Sequence, residues 1–424
     1  MSHRRVPPHW RRWVTGAAMA AGLLVAGLTP ALGAVPGGDR PDATATTTAA
    51  KTSEATADAA LAADPYSEAA DFPYPGADTM VLPNGSNKYV TYGASDGGRT
   101  VPYTISGSGD VPASSATVTG DAWKGVVFPS GYWAKTGSGI WTPGAWTMEK
   151  GGTRYYYLFY TAVKAGTDDK HCVGVAKATQ PGGPFHPQAA ALACPSKETR
   201  WAIDADVTQK PGGAIWMTWR DGERTAGGQD SALSVMMLKF DDNGSVSRET
   251  DPVVMLGTEQ LNWPAYQDNS GVIVIENPSA AFINGSWYLF YSGNSFTGPY
   301  YATGIAYCGA TIDHRCTPMP GPNKAYFAYS GPSDGNTISK PDSCNPTGVR
   351  PLNTTTYPAD MRVRGLPGNK RSIGAMDVYT ARDGEFWVTW NYRSDSNWCS
   401  RKSRVGHLHI SGSGANATFT VSLT

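Results

Sequence analysis

Three carboxylates stand at nearly the same distance ahead of three similar turns. Asp78 lies six residues before Asn84-Gly85, while Asp204 and Glu276 each lie eight before Gly212-Gly213 and Asn284-Gly285. Acids that face one another repel when ionised, so one is driven towards its protonated form while another stays charged. A single site then holds both an acid and a base. Hydrolysis of a glycosidic bond needs that division of labour: a carboxylic acid protonates the leaving oxygen, and a carboxylate activates water or attacks carbon. A lone Asp in such a place more often caps a strand or pairs with an arginine, but three at matched offsets favour the chemical reading.

The turns belong to a pattern that recurs five times, a Gly-containing turn followed by aromatic or β-branched alternation. The copies are NGSNKYVTYGA at 84, GGTRYYYLFYTA at 151, GGAIWMTWRDG at 212, NGSWYLFYSGN at 284 and DGEFWVTWNYR at 383, spaced 61 to 99 residues apart. Asn-Gly and Asp-Gly supply the positive φ that tight hairpins require, so each copy reads as the second strand of a hairpin. The shorter spacings accommodate four short strands each. Five such units in series predict an all-β, five-bladed β-propeller. A sandwich, the competing architecture, would show strands at regular 8 to 12-residue intervals without the longer period. In a propeller, equivalent positions of successive blades converge on the axis, which would bring the three acids into one pocket.

The remaining chain sets the context. Residues 1–34 combine arginines, an apolar Ala/Leu/Val run and a small-residue end, and read as an export signal cut after Gly33 or Ala34. Arg11-Arg12 also suits a twin-arginine signal, so the export route stays open. Residues 35–64 are rich in Ala, Thr, Asp, Gly and Pro and lack aromatics, the composition of a disordered tether. Residues 65–424 form the catalytic propeller in this reading. No later stretch approaches the roughly 18 apolar residues of a membrane helix. Lys plus Arg (35) equal Asp plus Glu (35), and no basic stretch alternates with aromatics, which argues against a nucleic-acid partner and for a neutral one. Six cysteines in an exported chain suit disulfides, and nearest-neighbour pairing is one of 15 connectivities.

The segments GADTMVL…NKYVTYGA, WTPGAW, HCVGVAKATQPGGPF, AIDADVT…GGAIWMTW and IENPSAAFINGSWYLFYSGN resemble successive signatures of glycoside hydrolase family 43, from about residue 70 to the C-terminus. The resemblance implies a five-bladed propeller that hydrolyses arabinose- or xylose-containing plant polysaccharides with inversion; with the export signal, the chain is read as a secreted monomer. It implies Asp78 as general base, Asp204 as the acid that orients the general acid, and Glu276 as the general acid. It also implies a substrate-facing arginine near the last strand, for which Arg404 is the candidate. Three motifs depart from the family pattern: Asp78-Thr79 and Asp204-Ala205 lack the usual Pro, and Glu276-Asn277-Pro278 replaces Glu-Gly-Pro. Gly374-Ala375-Met376-Asp377 stands where many members carry a histidine associated with a metal in the central channel. No cofactor is therefore expected to be required, although an ion in the channel is compatible with this reading.

Trp141, Trp146 and Trp201 are candidate sugar platforms, with Trp201 favoured for its closeness to Asp204; packing within blades is the bland alternative for each. Arg220 and Arg404 could each hydrogen-bond a sugar or neutralise the carboxylate cluster, although an ordinary surface ion pair is the commoner role for such a residue. His407 and His409 share a strand face without a third ligand, which suits packing better than a metal. The leading activity is α-L-arabinofuranosidase or exo-arabinanase. A β-xylosidase and a non-catalytic carbohydrate-binding propeller remain as alternatives, whereas a fructan-cleaving enzyme would show a Cys where Asn277 stands.

Overall fold

A computed structural model describes residues 80–422 apart from 85–87, 95–99, 107–117, 125–127, 196–199, 224–230, 263–272, 295, 297–300, 320, 322–324, 328–369, 382–383 and 395–396. The export signal, the tether, Asp78 and the insertion at 331–369 lie outside the described residues.

Alternating aromatic and β-branched residues broken by Gly turns fold into five antiparallel sheets, each from one continuous stretch of chain. Blade one holds β1 (Met80–Asn84), β2 (Lys88–Tyr92), β3 (Thr100–Ser106) and β4 (Gly120–Lys124). Blade two holds β5 (Trp141–Lys150), β6 (Thr153–Val163), β7 (His171–Ala178) and β8 (His186–Pro187). Blade three holds β9 (Arg200–Gln209), β10 (Ile215–Glu223), β11 (Ser231–Phe240), β12 (Val246–Arg248) and β13 (Val253–Gly257), the last two both paired with β11. Blade four holds β14 (Ile275–Ile283), β15 (Ser286–Gly293), β16 (Ala302–Gly309) and β17 (Thr317–Met319). Blade five holds β18 (Lys370–Thr380), β19 (Phe386–Ser394), β20 (Asn397–Ser411) and β21 (Thr418–Ser422).

All five repeat copies form the second strand of their blade, as the turn chemistry predicts. Asn284 and Gly285 both have positive φ, at 49° and 85°, and join β14 to β15 directly. The first strands β1, β5, β9, β14 and β18 line the axis, each touching the next, and β1 meets both β5 and β18, so the ring closes. It is a five-bladed β-propeller.

Each interface between neighbouring blades carries its own apolar cluster. Tyr92, Trp123 and Tyr160 pack blade one on two, and Phe159, Met217 and Trp219 pack two on three. Leu233, Leu289 and Tyr291 join three to four, and Phe290, Trp390 and Phe419 join four to five. Two disulfides between sequence neighbours, Cys172–Cys194 and Cys308–Cys316, tie outer strands to adjoining loops. No strand is shared between blades one and five, so among the described residues a small cluster of Tyr89, Tyr379, Ala381, Trp387 and Val405 holds the closure. Tyr89 and Tyr379 meet edge to face at 6.2 Å. Tyr89→Ala should therefore destabilise the fold by about 3–5 kcal/mol, read by urea denaturation; a loss below about 1 kcal/mol would show that closure does not rest on this contact.

Candidate active site

In blades two to five the first strand bulges at one shared point. Two of its residues there oppose a single aromatic on the second strand: Thr142-Pro143 face Tyr160, Asp204-Ala205 face Trp219, Asn277-Pro278 face Tyr291 and Ala375-Met376 face Trp390. A bulge re-aims the side chains around it. The first bulged residue of blades three, four and five is left-handed, with φ of 56° at Asp204, 49° at Asn277 and 51° at Ala375. Such strain persists where surrounding structure holds it, commonly at functional sites. Asn is among the few non-glycine residues that adopt this conformation readily, so Asn277 preserves the backbone where the resembled family carries Gly.

The register refines the sequence offsets. Trp141, Ile203, Glu276 and Gly374 are equivalent, as are Asp204 and Asn277. Blade three turns through residues 210–214 and blade four through only Asn284-Gly285. Equal distances from the turns therefore land on neighbouring rather than equivalent positions. Asp204 and Glu276 are nonetheless brought together, because the backbone N–H of Asn277 donates to Asp204 Oδ2 at 3.4 Å.

Glu276 is buried and held at both oxygens. Arg220 Nη1 donates to Oε2 at 3.0 Å, and the Tyr301 hydroxyl donates to Oε1 at 3.0 Å. Asn277 Nδ2 donates in turn to the Tyr301 oxygen at 2.6 Å. A Cβ at Gly374 would collide with the Tyr301 ring, so a glycine in blade five makes room for this brace on an acid of blade four. Gly144 does the same beside Asp204, where a Cβ would strike the Ala205 carbonyl. Sequence reasoning missed Tyr301, the second of the adjacent pair Tyr300-Tyr301, which lies ahead of β16 and outside the repeated pattern. For Arg220 it favoured a surface ion pair over neutralising the carboxylates, whereas the side chain is only 6% exposed and pairs with Glu276.

One step further along the axis, Gly144, Asp206, Ser279 and Asp377 occupy equivalent positions. Ser279 Oγ donates to Asp377 Oδ1 at 3.3 Å and accepts from the Val378 N–H at 3.1 Å. Asp206 Oδ1 accepts from the Val207 N–H at 2.7 Å. Burial first, and the neighbouring Asp377 second, push the Asp206 carboxyl well above the usual carboxylate range. Ala375 and Met376 offer no hard ligand at the fifth-blade position where the resemblance places a histidine. Among the described residues no three His, Cys, Asp or Glu side chains converge as a metal requires.

The candidate platforms separate. Trp141 is 38% exposed and stacks on buried His171 at 4.0 Å. It opens β5 at the position equivalent to Glu276, and hence at the same end of the propeller. Trp201 lies half-buried behind, its ring 4.6 Å from His171 and its Nε1 donating to the Asp169 carbonyl. The exposed ring is therefore Trp141, rather than the favoured Trp201. Trp146 is partly buried and packs against the cluster between blades two and three, with its Nε1 buried. Arg404 is fully buried with its guanidinium carbon 5.0 Å from the Tyr392 ring centre, so a surface ion pair does not describe it. His407 meets Glu385 at 3.2 Å and His409 at 4.2 Å between rings, on blade five.

Two carboxylates brought together at the axis of a five-bladed propeller are compatible with glycoside hydrolysis. Residues 128–323 match the sequence model of Glycosyl hydrolases family 43, a family whose members hydrolyse glycosidic bonds with inversion. The fold is similar to that of a thermostable family-43 glycoside hydrolase (TM-score 0.55, 18% identity, 82% of this chain and 92% of that one covered). It is similar also to an endo-1,4-β-xylanase from Bacteroides thetaiotaomicron VPI-5482 (0.54, 19%, 84% and 96%). A third similar structure is an exo-1,5-α-L-arabinanase from a bovine ruminal metagenomic library (0.53, 14%, 84% and 99%). No curated protein matches the chain.

Two outcomes follow from the geometry. Gly374→Ala should displace Tyr301 and lower kcat by about 10²-fold while leaving the fold intact, measured by steady-state kinetics alongside circular dichroism; unchanged kcat would remove Tyr301 from the site. Because the folded-state pKa of Asp206 is raised, its contribution to stability is complete below the ordinary carboxylate pKa and is lost as pH rises through the raised value. Asp377→Asn removes the charge that opposes ionisation of Asp206, so Tm should fall less steeply with rising pH than in the wild type. A parallel pair of Tm–pH curves would contradict the coupling.

Proposed function

We propose that the chain is a secreted, inverting glycosidase acting on arabinose-containing plant polysaccharide, as an α-L-arabinofuranosidase or exo-arabinanase. The observation that carries this reading is the buried Glu276, held by Arg220 and Tyr301 beside Asp204. Glu276 delivers a proton to the glycosidic oxygen as the bond to the anomeric carbon breaks. Asp78 takes a proton from the water that attacks that carbon from the opposite face. Asp204, through its bond to the backbone of Asn277, keeps the acid's strand in place. Trp141 offers a flat apolar face for the C–H face of a sugar. The export signal read in residues 1–34 supports activity outside the cell, on cell-wall glycans.

A β-xyloside is the second reading, favoured by the likeness to a structure described as an endo-1,4-β-xylanase. Aryl α-L-arabinofuranoside, aryl β-xyloside and debranched arabinan, each incubated with wild type and with Glu276→Ala, decide between them. Arabinofuranoside and arabinan should be turned over by the wild type, and arabinan hydrolysis should fall by about 10²–10⁴-fold in the variant. Turnover confined to the xyloside selects the second reading. Binding without turnover of any of them would make the propeller a carbohydrate-binding module.

A further inference from the structure

The residue that follows the conserved-position aromatic of each repeat is Gly93, Thr161, Ser292 or Asn391 in four blades and Arg220 in blade three. Register places Arg220 across from Ile203, beside the bulge that carries Asp204. Its side chain crosses to blade four instead of reaching solvent: Nη1 lies 3.0 Å from Glu276 Oε2, with the two side chains 6% and 10% exposed. Gly222 gives it space, since a Cβ there would press on Arg220 Nε. A small polar residue would fill this position in the repeat, so the packing of the blade does not itself call for a cation.

We propose that Arg220 is a positioning residue for the general acid, and that it decides which oxygen of Glu276 carries the transferable proton. The inference rests on Glu276 acting as that acid. A guanidinium has donors only, and a cation beside a carboxyl oxygen disfavours protonation of that oxygen. With Arg220 on Oε2, the proton of the acid form is favoured on Oε1. During the reaction the Oε1–H bond breaks, the proton passes to the glycosidic oxygen, and the electron pair stays on Glu276 while the leaving group departs as an alcohol. The water that adds to the anomeric carbon gives its proton to the base, which balances the step. Negative charge therefore grows on Glu276 in the transition state, where Arg220 at Oε2 and the Tyr301 hydroxyl at Oε1 are already in place to receive it. Donors set in advance on a developing charge in a water-poor site lower the barrier without reorganisation. Oε1 becomes a charged acceptor once the proton has left, so the hydrogen bond from Tyr301 strengthens with proton transfer, whereas the Arg220 bond holds the carboxyl group throughout.

The test uses Arg220→Lys and Arg220→Met in the full chain, with Tm recorded for each. Rates are measured on aryl α-L-arabinofuranosides whose leaving groups run from a dinitrophenol to an unactivated phenol, or on the matching aryl β-xylosides if the wild type turns over only those. In Arg220→Met, kcat/KM should fall about tenfold to a hundredfold for the poor leaving group and stay within about twofold for the dinitrophenol, which needs no proton. The alkaline limb of the pH profile should move to higher pH, because a cation that favours ionised Glu276 has been removed. Arg220→Lys should recover part of the loss. Equal losses across all leaving groups with an unmoved alkaline limb, in whichever variant retains its fold, would assign Arg220 a structural role only. The leaving-group comparison is internal to one sugar, so its failure is separable from a wrong choice of sugar.

Discussion

Five first strands converge on one axis, and the space there admits only small side chains or polar ones with partners in the next blade. That constraint accounts for Gly144 against the Ala205 carbonyl and for Gly374 against Tyr301. It accounts equally for the layer of Asp206, Ser279 and Asp377, whose hydrogen bonds run from blade to blade. The first strands of blades two to five meet the constraint by bulging at the same height, and the bulge re-aims the side chains beside it. Site and scaffold are thus one feature: the geometry that closes the ring is also the geometry that presents Asp204 and Glu276.

A charge in such a place is costly unless it is paired, and removing one member of a buried pair is worse than never having had it. Glu276 is accordingly bonded at both oxygens. The partners come from different places, a strand of blade three for Arg220 and the connection between β15 and β16 for Tyr301, and Asn277 ties the second to the acid's own backbone. The three supports fix the direction of the carboxyl group more closely than strand geometry alone could, and a proton donor must be aimed. The left-handed backbone at Asp204, Asn277 and Ala375 is the local strain that this aiming entails.

Much of the fold was legible because hairpin chemistry is local. Asn284-Gly285 and the glycines at 151–152, 212 and 384 adopt the positive φ their turns require, and the aromatic alternation after each is a strand buried on both faces. The acids were legible as a group because they recur with the turns. Their exact alignment was not, since turn length shifts the offset of Asp204 relative to Glu276. Tyr301 carries no periodic mark. Arg220 did carry one, as the odd residue at a repeated position, but charge at a strand end more commonly faces water. Trp146 and Trp141 sit in one short motif, and the bulge between them puts both on the face towards blade three; they differ in height along the strand, Trp146 against the apolar cluster and Trp141 exposed at its start.

The sequence by itself determined the repeat and the second strands and carried the resemblance to a glycosidase family, because each of these depends on residues within a few positions of one another. Which oxygen of Glu276 meets which donor, which tryptophan faces solvent, and that Arg220 and Arg404 are buried were decided only in the closed ring. Those contacts join residues 25 to 56 or more positions apart, and their geometry exists only once neighbouring blades have packed and excluded water from between them.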